Sequence, residues 1–322
     1  MHSPILTLDA DLTEVLVQAA ILAPSSHNTQ PWRFRLAGDT IELRADRTRA
    51  LPVNDPHDRE LTISCGCALF NLRVAAAAAG WIAHVSVPSG SADRDLLACV
   101  TLVRGTAPAA LTHLAPLISE RRTYRKRFVD QPIEEAVIIA VQAAVAAEGA
   151  QLCVLRSDAQ RHGAASLVAE GDAMQWDDPD WRRELADWMH PRRRGDGLTM
   201  PALAVPLAQA VVRTFDMGGG VGAKDRDLAD ASPLLAVIST TGDIGADWLA
   251  AGQALQRALL VGLAHGLQAS YLNQPVQCDE QRPQLQALCA DLRTAQLLVR
   301  WGVPESALSA APRRPVADVI VS

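Results

Sequence analysis

The sequence predicts an α+β chain in which one structural unit occurs twice, with mixed sheets flanked by helices. Two internal echoes predict it. Residues 58–80 and 244–266 align at a constant offset of 186, pairing Gly66 with Gly252, Ala68 with Ala254, Leu69 with Leu255, Ala78 with Ala264 and Gly80 with Gly266. A shorter echo, Val17-Gln-Ala-Ala20, returns as Val141-Gln-Ala-Ala144 at an offset of 124. Self-similarity of this kind governs how every other element is placed. The two offsets differ, so the second copy carries an insertion of about sixty residues, between roughly 159 and 232.

In chain order, the first copy opens with an amphipathic helix through 17–20 and a β-like stretch at 32–36. Residues 58–80 place apolar residues at helical spacing, and Gly80 stands where a left-handed residue closes a helix. The second copy repeats this order: a helix through 141–144, a strand at 152–155, a long helix at 244–266 closed by Gly266, and strands at 297–302 and 319–321. The first unit is placed at 1–115 and the second at 116–322. The insertion holds Trp176, Trp181 and Trp188 among Asp and Arg, an apolar run at 201–212 and a glycine-rich run at 217–223. It reads as a helical excursion with flexible hinges, in the manner of a lid. The glycine run also suits a phosphate cradle, but it follows no strand and lacks a GxxxxGK[ST] pattern, so a loop is expected.

Composition narrows the function. An apolar fraction of 49% with 20% charged residues supports a sizeable core. A net charge of −6 argues against a nucleic-acid partner, which needs a basic face. No uninterrupted apolar stretch reaches the ~18–20 residues of a membrane span, and residues 1–20 lack the basic start of a secretory leader, so a cytoplasmic protein is expected. The six cysteines form no CxxC or Cys/His zinc spacing, and Cys65-Gly-Cys67 reads as two small core residues. No metal is expected.

Three segments could carry chemistry. The densest is Pro24-Ser-Ser-His-Asn-Thr-Gln-Pro-Trp32. Its Ser25, Ser26, Asn28 and Gln30 offer small donors and acceptors on a turn, either to a ligand or to the turn's own backbone. His27 beside that turn reads as structural. The second is Glu120-Arg-Arg-Thr-Tyr-Arg-Lys-Arg-Phe128, a positive focus that suits a phosphate or forms a solvated basic turn. The third is Arg313-Arg-Pro315, a further clamp or a basic end. No GxGxxG, GxSxG or HExxH is present and no Ser/His/Asp set can be assembled, so a cofactor is expected to do the chemistry.

These residues carry a resemblance. The 24–32 segment is similar to the PSxxNxQPW segment of the FMN-dependent nitroreductase family, and Arg121-Arg-Thr-Tyr-Arg125 resembles that family's RRSxR phosphate motif. Residues 243–275 resemble its central dimer helix and flavin-flanking loop, and the C-terminal Arg-Arg-Pro completes the pattern. The order of motifs, with 24–32 preceding RRTYR, resembles the Acg-like branch, in which two nitroreductase units are fused in one chain. The resemblance implies a nitroreductase-like fold with long central helices at a pseudo-dimer interface, and a monomer in place of the family's homodimer. It implies one FMN per chain, with Arg121, Arg122, Thr123 and Arg125 toward the phosphate and pyrimidine end. Pro24, Ser25, Ser26 and Asn28 match the contacts from the other unit. Leu272, Asn273 and Gln274 match the residues beside the ring, and Arg313 or Arg314 the C-terminal phosphate cation. The second site is expected to be degenerate, since residues 1–15 contain no RRSxR. NAD(P)H is the implied donor and a nitroaromatic, quinone or similar small molecule the acceptor, with flavin N5 and no protein residue as the reacting centre. The insertion also admits a flavin-sequestering protein with little reductase activity.

Overall fold

The computed structural model describes residues 10–88, 93–289 and 293–321. Residues 1–9, part of the segment read for a leader and for a missing RRSxR, lie outside the described residues. Helix α1 (Ala10–Ala20) leads into strands β1 (Trp32–Ala37) and β2 (Thr40–Ala45), then helix α2 (Arg59–Ala78), β3 (Trp81–Ser86), β4 (Leu96–Arg104) and the single turn α3 (Ala109–Thr112). Helix α4 (Glu135–Ala146) and strand β5 (Gln151–Val154) follow, where the sequence reading starts a second unit. The insertion then contributes α5 (Asp158–Asp177), α6 (Pro179–Asp187), the short strands β6 (Met189–Pro191) and β7 (Leu198–Met200), α7 (Val205–Thr214) and α8 (Gly218–Asp230). The unit resumes with β8 (Leu234–Thr240), α9 (Gly245–Ala264), β9 (Gln268–Tyr271), α10 (Gln274–Gln277), α11 (Arg282–Ala287) and β10 (Thr294–Gly302), and β11 (Ile320–Val321) ends it.

Two main layers result; mixed sheets were expected, and the first is mixed while the second is antiparallel throughout. The first sheet runs β11-β1-β2-β4-β3 and the second β5-β8-β10-β9. Matched by position, β1, β2, β4 and β3 correspond to β5, β8, β10 and β9, and every pair along both rows is antiparallel. Between the sheets lie α2 and α9, each ended by a left-handed glycine, Gly80 at φ +79° and Gly266 at φ +77°. Their crossing is at Gly66 and Gly252, the same two residues that the offset of 186 sets side by side. A Cβ on Gly66 would strike the Leu249 carbonyl oxygen, and one on Gly252 would strike that of Ile63. Hydrogen in place of a side chain is what lets the two backbones touch. Cys65 and Cys67 are buried on this helix, and the Cys67 thiol donates to the Gly252 carbonyl at 3.2 Å. Helix α2 has the length and apolar character of a membrane span, which sequence reading missed, but it is buried in the core.

The C-terminal strand does not stay with its own unit. β11 pairs in parallel with β1, Phe34 opposite Ile320, and the Phe34 N–H donates to the Val319 carbonyl at 2.8 Å. The boundary at 115/116 therefore divides the sequence but not the sheets.

The insertion differs from expectation at its glycines. The run at 217–223, expected as a loop, opens α8, and the reason is packing. A Cβ on Gly222 would meet the Ala169 carbonyl oxygen at 3.0 Å and one on Gly218 the Trp176 Cβ at 2.8 Å, so bare backbone lets α8 lie on α5. Helix α5 starts from a reciprocal cap in which Ser157 Oγ accepts from the Gln160 N–H at 3.2 Å and Gln160 Oε1 accepts from the Ser157 N–H at 3.0 Å. The insertion is tied to the first unit. Arg49 pairs with Asp196, and Glu184 accepts the Val53 and Asn54 N–H groups at 2.9 Å each.

Candidate functional site

One cavity of about 790 Å³ lies where the units and the insertion meet, within the ~300–1,000 Å³ of small-molecule and cofactor sites. Its first wall is the connection from α1 to β1. His27, Asn28 and Gln30 adopt left-handed φ of +47°, +54° and +52°, a conformation costly for residues with a Cβ. Hydrogen bonds hold it. Ser25 Oγ accepts from the Gln30 N–H at 3.0 Å, the Gln30 carboxamide spans from the Gly195 carbonyl at 2.8 Å to the Arg314 N–H at 2.9 Å, and Asn28 Oδ1 accepts from Arg313 at 3.2 Å. Both readings of this turn therefore hold in part: Ser25 and Gln30 serve its backbone, while Pro24, Ser25, Ser26, His27 and Asn28 line the cavity.

The second wall is the RRTYR segment. Thr123 bridges to Ala269 on β9, and the Tyr124 N–H donates to the Ala269 carbonyl at 2.8 Å, which fixes the segment on the sheet edge. Arg121 is 5% exposed and reaches the Leu22 carbonyl at 3.3 Å. Arg313 reaches the same carbonyl at 3.2 Å, and those of Ile21 at 2.8 Å and Ala23 at 3.1 Å, so it caps the end of α1. Residues 24–32, 121–125 and 313 thus converge from opposite ends of the chain. Arg122, Thr123, Arg125, Leu272, Asn273 and Gln274 line the same cavity. Arg314 does not: it turns away to the Gln30 carbonyl at 3.1 Å, the Asp318 carbonyl at 2.8 Å and Asp46 at 3.6 Å. Of the two C-terminal cations, Arg313 is the one at the cavity.

Charge is the distinguishing feature. Among the described residues, none of Arg121, Arg122, Arg125, Arg300 and Arg313 has a carboxylate within ion-pair distance. The Nε atoms of Arg121, Arg122 and Arg300 are buried without a partner. Burial, reinforced by the charges of Arg121 and Arg122, holds Arg313 down at about 9, and burial holds Arg300 down at about 10. Burial also lowers Arg121. Guanidinium groups left uncompensated out of water are costly, and an anion relieves that cost.

Sequence reading missed four groups here. Arg300 lies on β10 at 1% exposure, and its signal was a single cation inside an apolar strand. Glu60, 3% exposed at the start of α2, accepts from Ser26 Oγ at 2.6 Å, Asn273 Nδ2 at 3.2 Å and Gln277 Nε2 at 2.9 Å, joining the two loops that face each other. Asp172 and Asp225 come from the insertion, which has no counterpart in the other copy to draw attention to them. Gln274 Nε2 donates to both, at 3.1 Å each. Burial pushes the Asp172 carboxyl up to about 7 and the Tyr271 phenol up to about 12. His27 is held down at about 4 by burial and then by the charge of Arg125. No group of three or more metal-ligating side chains occurs among the described residues.

No family model matches the chain. Among solved structures, the chain is similar to the FMN-dependent nitroreductase NfnB of Mycobacterium smegmatis in complex with NADPH (16% identity, TM-score 0.44, 65% of this chain and 97% of that one). It is similar also to a nitroreductase with bound FMN from Bacteroides fragilis (14%, TM-score 0.42, 66% and 99%). Curated sequences match far more fully. "Putative NAD(P)H nitroreductase Rv3131" of Mycobacterium tuberculosis is 31% identical over 323 residues, 97% of this chain and 92% of that protein. "Putative NAD(P)H nitroreductase acg" of the same species is 30% identical over 317 residues, 96% of this chain and 95% of that protein. Identity of that degree along almost all of both sequences makes the chain a member of the NAD(P)H nitroreductase family that includes Acg.

Proposed function

We propose that this protein is an FMN-binding oxidoreductase of the nitroreductase type, taking hydride from NAD(P)H and delivering it to a nitroaromatic, quinone or similar small acceptor. The observation that carries this reading is the set of uncompensated guanidinium groups around a cavity of cofactor size. The residues fit the group. The unpartnered Nε atoms of Arg121 and Arg122, with Arg313 beside them, suit a phosphate; the hydroxyl of Thr123 and the side chain of Asn28 suit a polyol. When bound, FMN supplies the two-electron chemistry. The chain's part is to bind, to orient and to exclude water: Arg125 offers positive charge to an electron-rich ring, Glu60 keeps the two facing loops in register, and Trp176, Trp181 and Leu185 wall the cavity from the insertion side.

We also read the chain as two tandem units, 1–115 and 116–322, that form an internal pseudo-dimer and so act as a monomer holding one flavin. Supporting this are the shared strand order and the Gly66–Gly252 crossing, where equivalent residues of the two copies meet as they do across a two-fold axis.

A second reading, a flavin-sequestering protein, is favoured by the ties of the insertion to the first unit through Arg49–Asp196 and Glu184. Anaerobic mixing of the yellow purified protein with NADPH separates the two. Bleaching of the flavin's visible band within minutes is expected of the oxidoreductase. A persistent oxidised spectrum assigns sequestration, and a colourless protein that takes up no added FMN overturns both.

A further inference from the structure

Besides the arginines the cavity has a different chemistry, which comes from the insertion and the loop it touches. Asp172, Gln175 and Trp176 occupy positions i, i+3 and i+4 of α5, so they share one face, and all three line the cavity. Trp176 (5% exposed) and Trp181 (8%) meet edge to face, their ring centroids 5.5 Å apart. Asp172 is 3% exposed; its Oδ1 accepts from Gln274, and its Oδ2 is buried with no partner. The Gln274 Oε1 is likewise buried and unpartnered. With the Asp172 carboxyl ionised, above about pH 7, the two unfilled groups are both acceptors, on side chains that already touch. A buried acceptor without a donor is rare and costly, so what fills this end must bring N–H or O–H groups.

We propose that Asp172, Gln274 and the Trp176–Trp181 pair form a second subsite, specific for a planar aromatic ring that bears an N–H donor group and binding most tightly when that group is a cation such as an amidinium. Asp225 is the lesser partner, because Arg125, Arg300 and Lys224 lie near enough to offset its charge. The subsite rests on the preceding reading in one respect: with the arginine end taken by a phosphate-bearing cofactor, its occupant is the second reactant. It also narrows that reading. A nitro group or a quinone presents only acceptor oxygens, so the favoured acceptors carry an amino, amidine or carboxamide substituent as well.

The test is titration calorimetry, on protein incubated with excess FMN and then desalted, with three probes of one size: benzamidine, benzamide and benzoate. The expected order is benzamidine, then benzamide, with benzoate weakest. Replacing Asp172 with Asn puts an amide at the position of the unfilled oxygen. It is expected to weaken benzamidine by roughly 10–100-fold, the worth of a hydrogen bond to a charged group, and to strengthen benzoate. Reversal of preference is something that general loosening of the protein would not produce. Equal binding of benzamidine and benzoate to the parent protein, or an unchanged benzamidine affinity in Asp172→Asn, overturns the proposal. Flavin content read on the same samples keeps the two claims apart. A colourless protein that still prefers benzamidine supports the subsite while the cofactor reading fails, and a yellow protein without the preference does the reverse.

Discussion

The connection from α1 to β1 and the connection from α4 to β5 each join a helix to the strand after it and reach opposite ends. The first spans residues 21–31, bends through three left-handed residues and opens onto Arg121, Arg122 and Arg313, none of which has a carboxylate within ion-pair distance among the described residues. The second is the short turn 147–150, closed by Gly149 at φ +80°, and it drives Glu148 inward. That carboxylate, 5% exposed in its side chain, is shared by Arg73 of α2 at 2.5 Å and Arg257 of α9 at 2.8 Å. One connection brings a carboxylate to the cations beside it, and the other brings none. In this molecule a site is distinguished less by the presence of arginine than by the absence of an internal counter-charge.

Four measurements break or sharpen that contrast. Glu148→Ala strands two half-buried guanidinium groups and is expected to cost about 3–5 kcal/mol of stability, read from chemical denaturation, with flavin content unchanged in the folded fraction. Little loss of stability would mean the pair is not held as described. Gly252→Ala places a methyl against backbone that has no room for it, so a loss of about 1–3 kcal/mol or more is expected, and the crossing of α2 and α9 is misread if the variant melts with the parent. Arg121→Ala runs the other way. It removes an uncompensated cation, so the cofactor-free protein is not destabilised, while FMN affinity falls roughly 10–100-fold on titration. An FMN affinity equal to the parent's refutes the phosphate assignment. The smallest effect is one of pH. Burial raises the Asp172 carboxyl to about 7 from its ordinary 3.8, so between those values the folded state binds the extra proton and its stability falls as pH rises, levelling above about 7. His27, held at about 4, contributes the opposite slope over pH 4–6.5. The parent-minus-Asp172→Asn difference in melting temperature isolates the first term and is expected to shrink from pH 4 to pH 7. A flat difference refutes it.

Much of the fold was legible. Apolar spacing with a terminal glycine located α2 and α9 to within two residues at each end, because a buried helix needs both signals. The offset of 186 sets Gly66 beside Gly252, and these two residues are in contact where α2 crosses α9. The cation–turn convergence was legible too, but only through motif order. What was hidden depended on tertiary contact. Glycine at 218–222 signals a loop in sequence, and only α5 lying beneath explains a helix there. Arg313 and Arg314 are identical as letters, and the turn at Gln30 decides which one faces the cavity. Asp172 and Asp225 lie more than fifty residues apart in sequence and are brought together by the Gln274 amide.

The strand that crosses back to β1 gives the chain a temporal order. Arg313, which caps α1 and steadies Asn28, and Ile320, which pairs with Phe34, are synthesised after every other element described, so the wall they complete stays unfinished while the ribosome is at work. Without the tail, β1 lacks its neighbour on that edge and Asn28 lacks its Arg313 hydrogen bond. The contact that closes the sheet edge at β1 is thus also the one that completes the cavity wall.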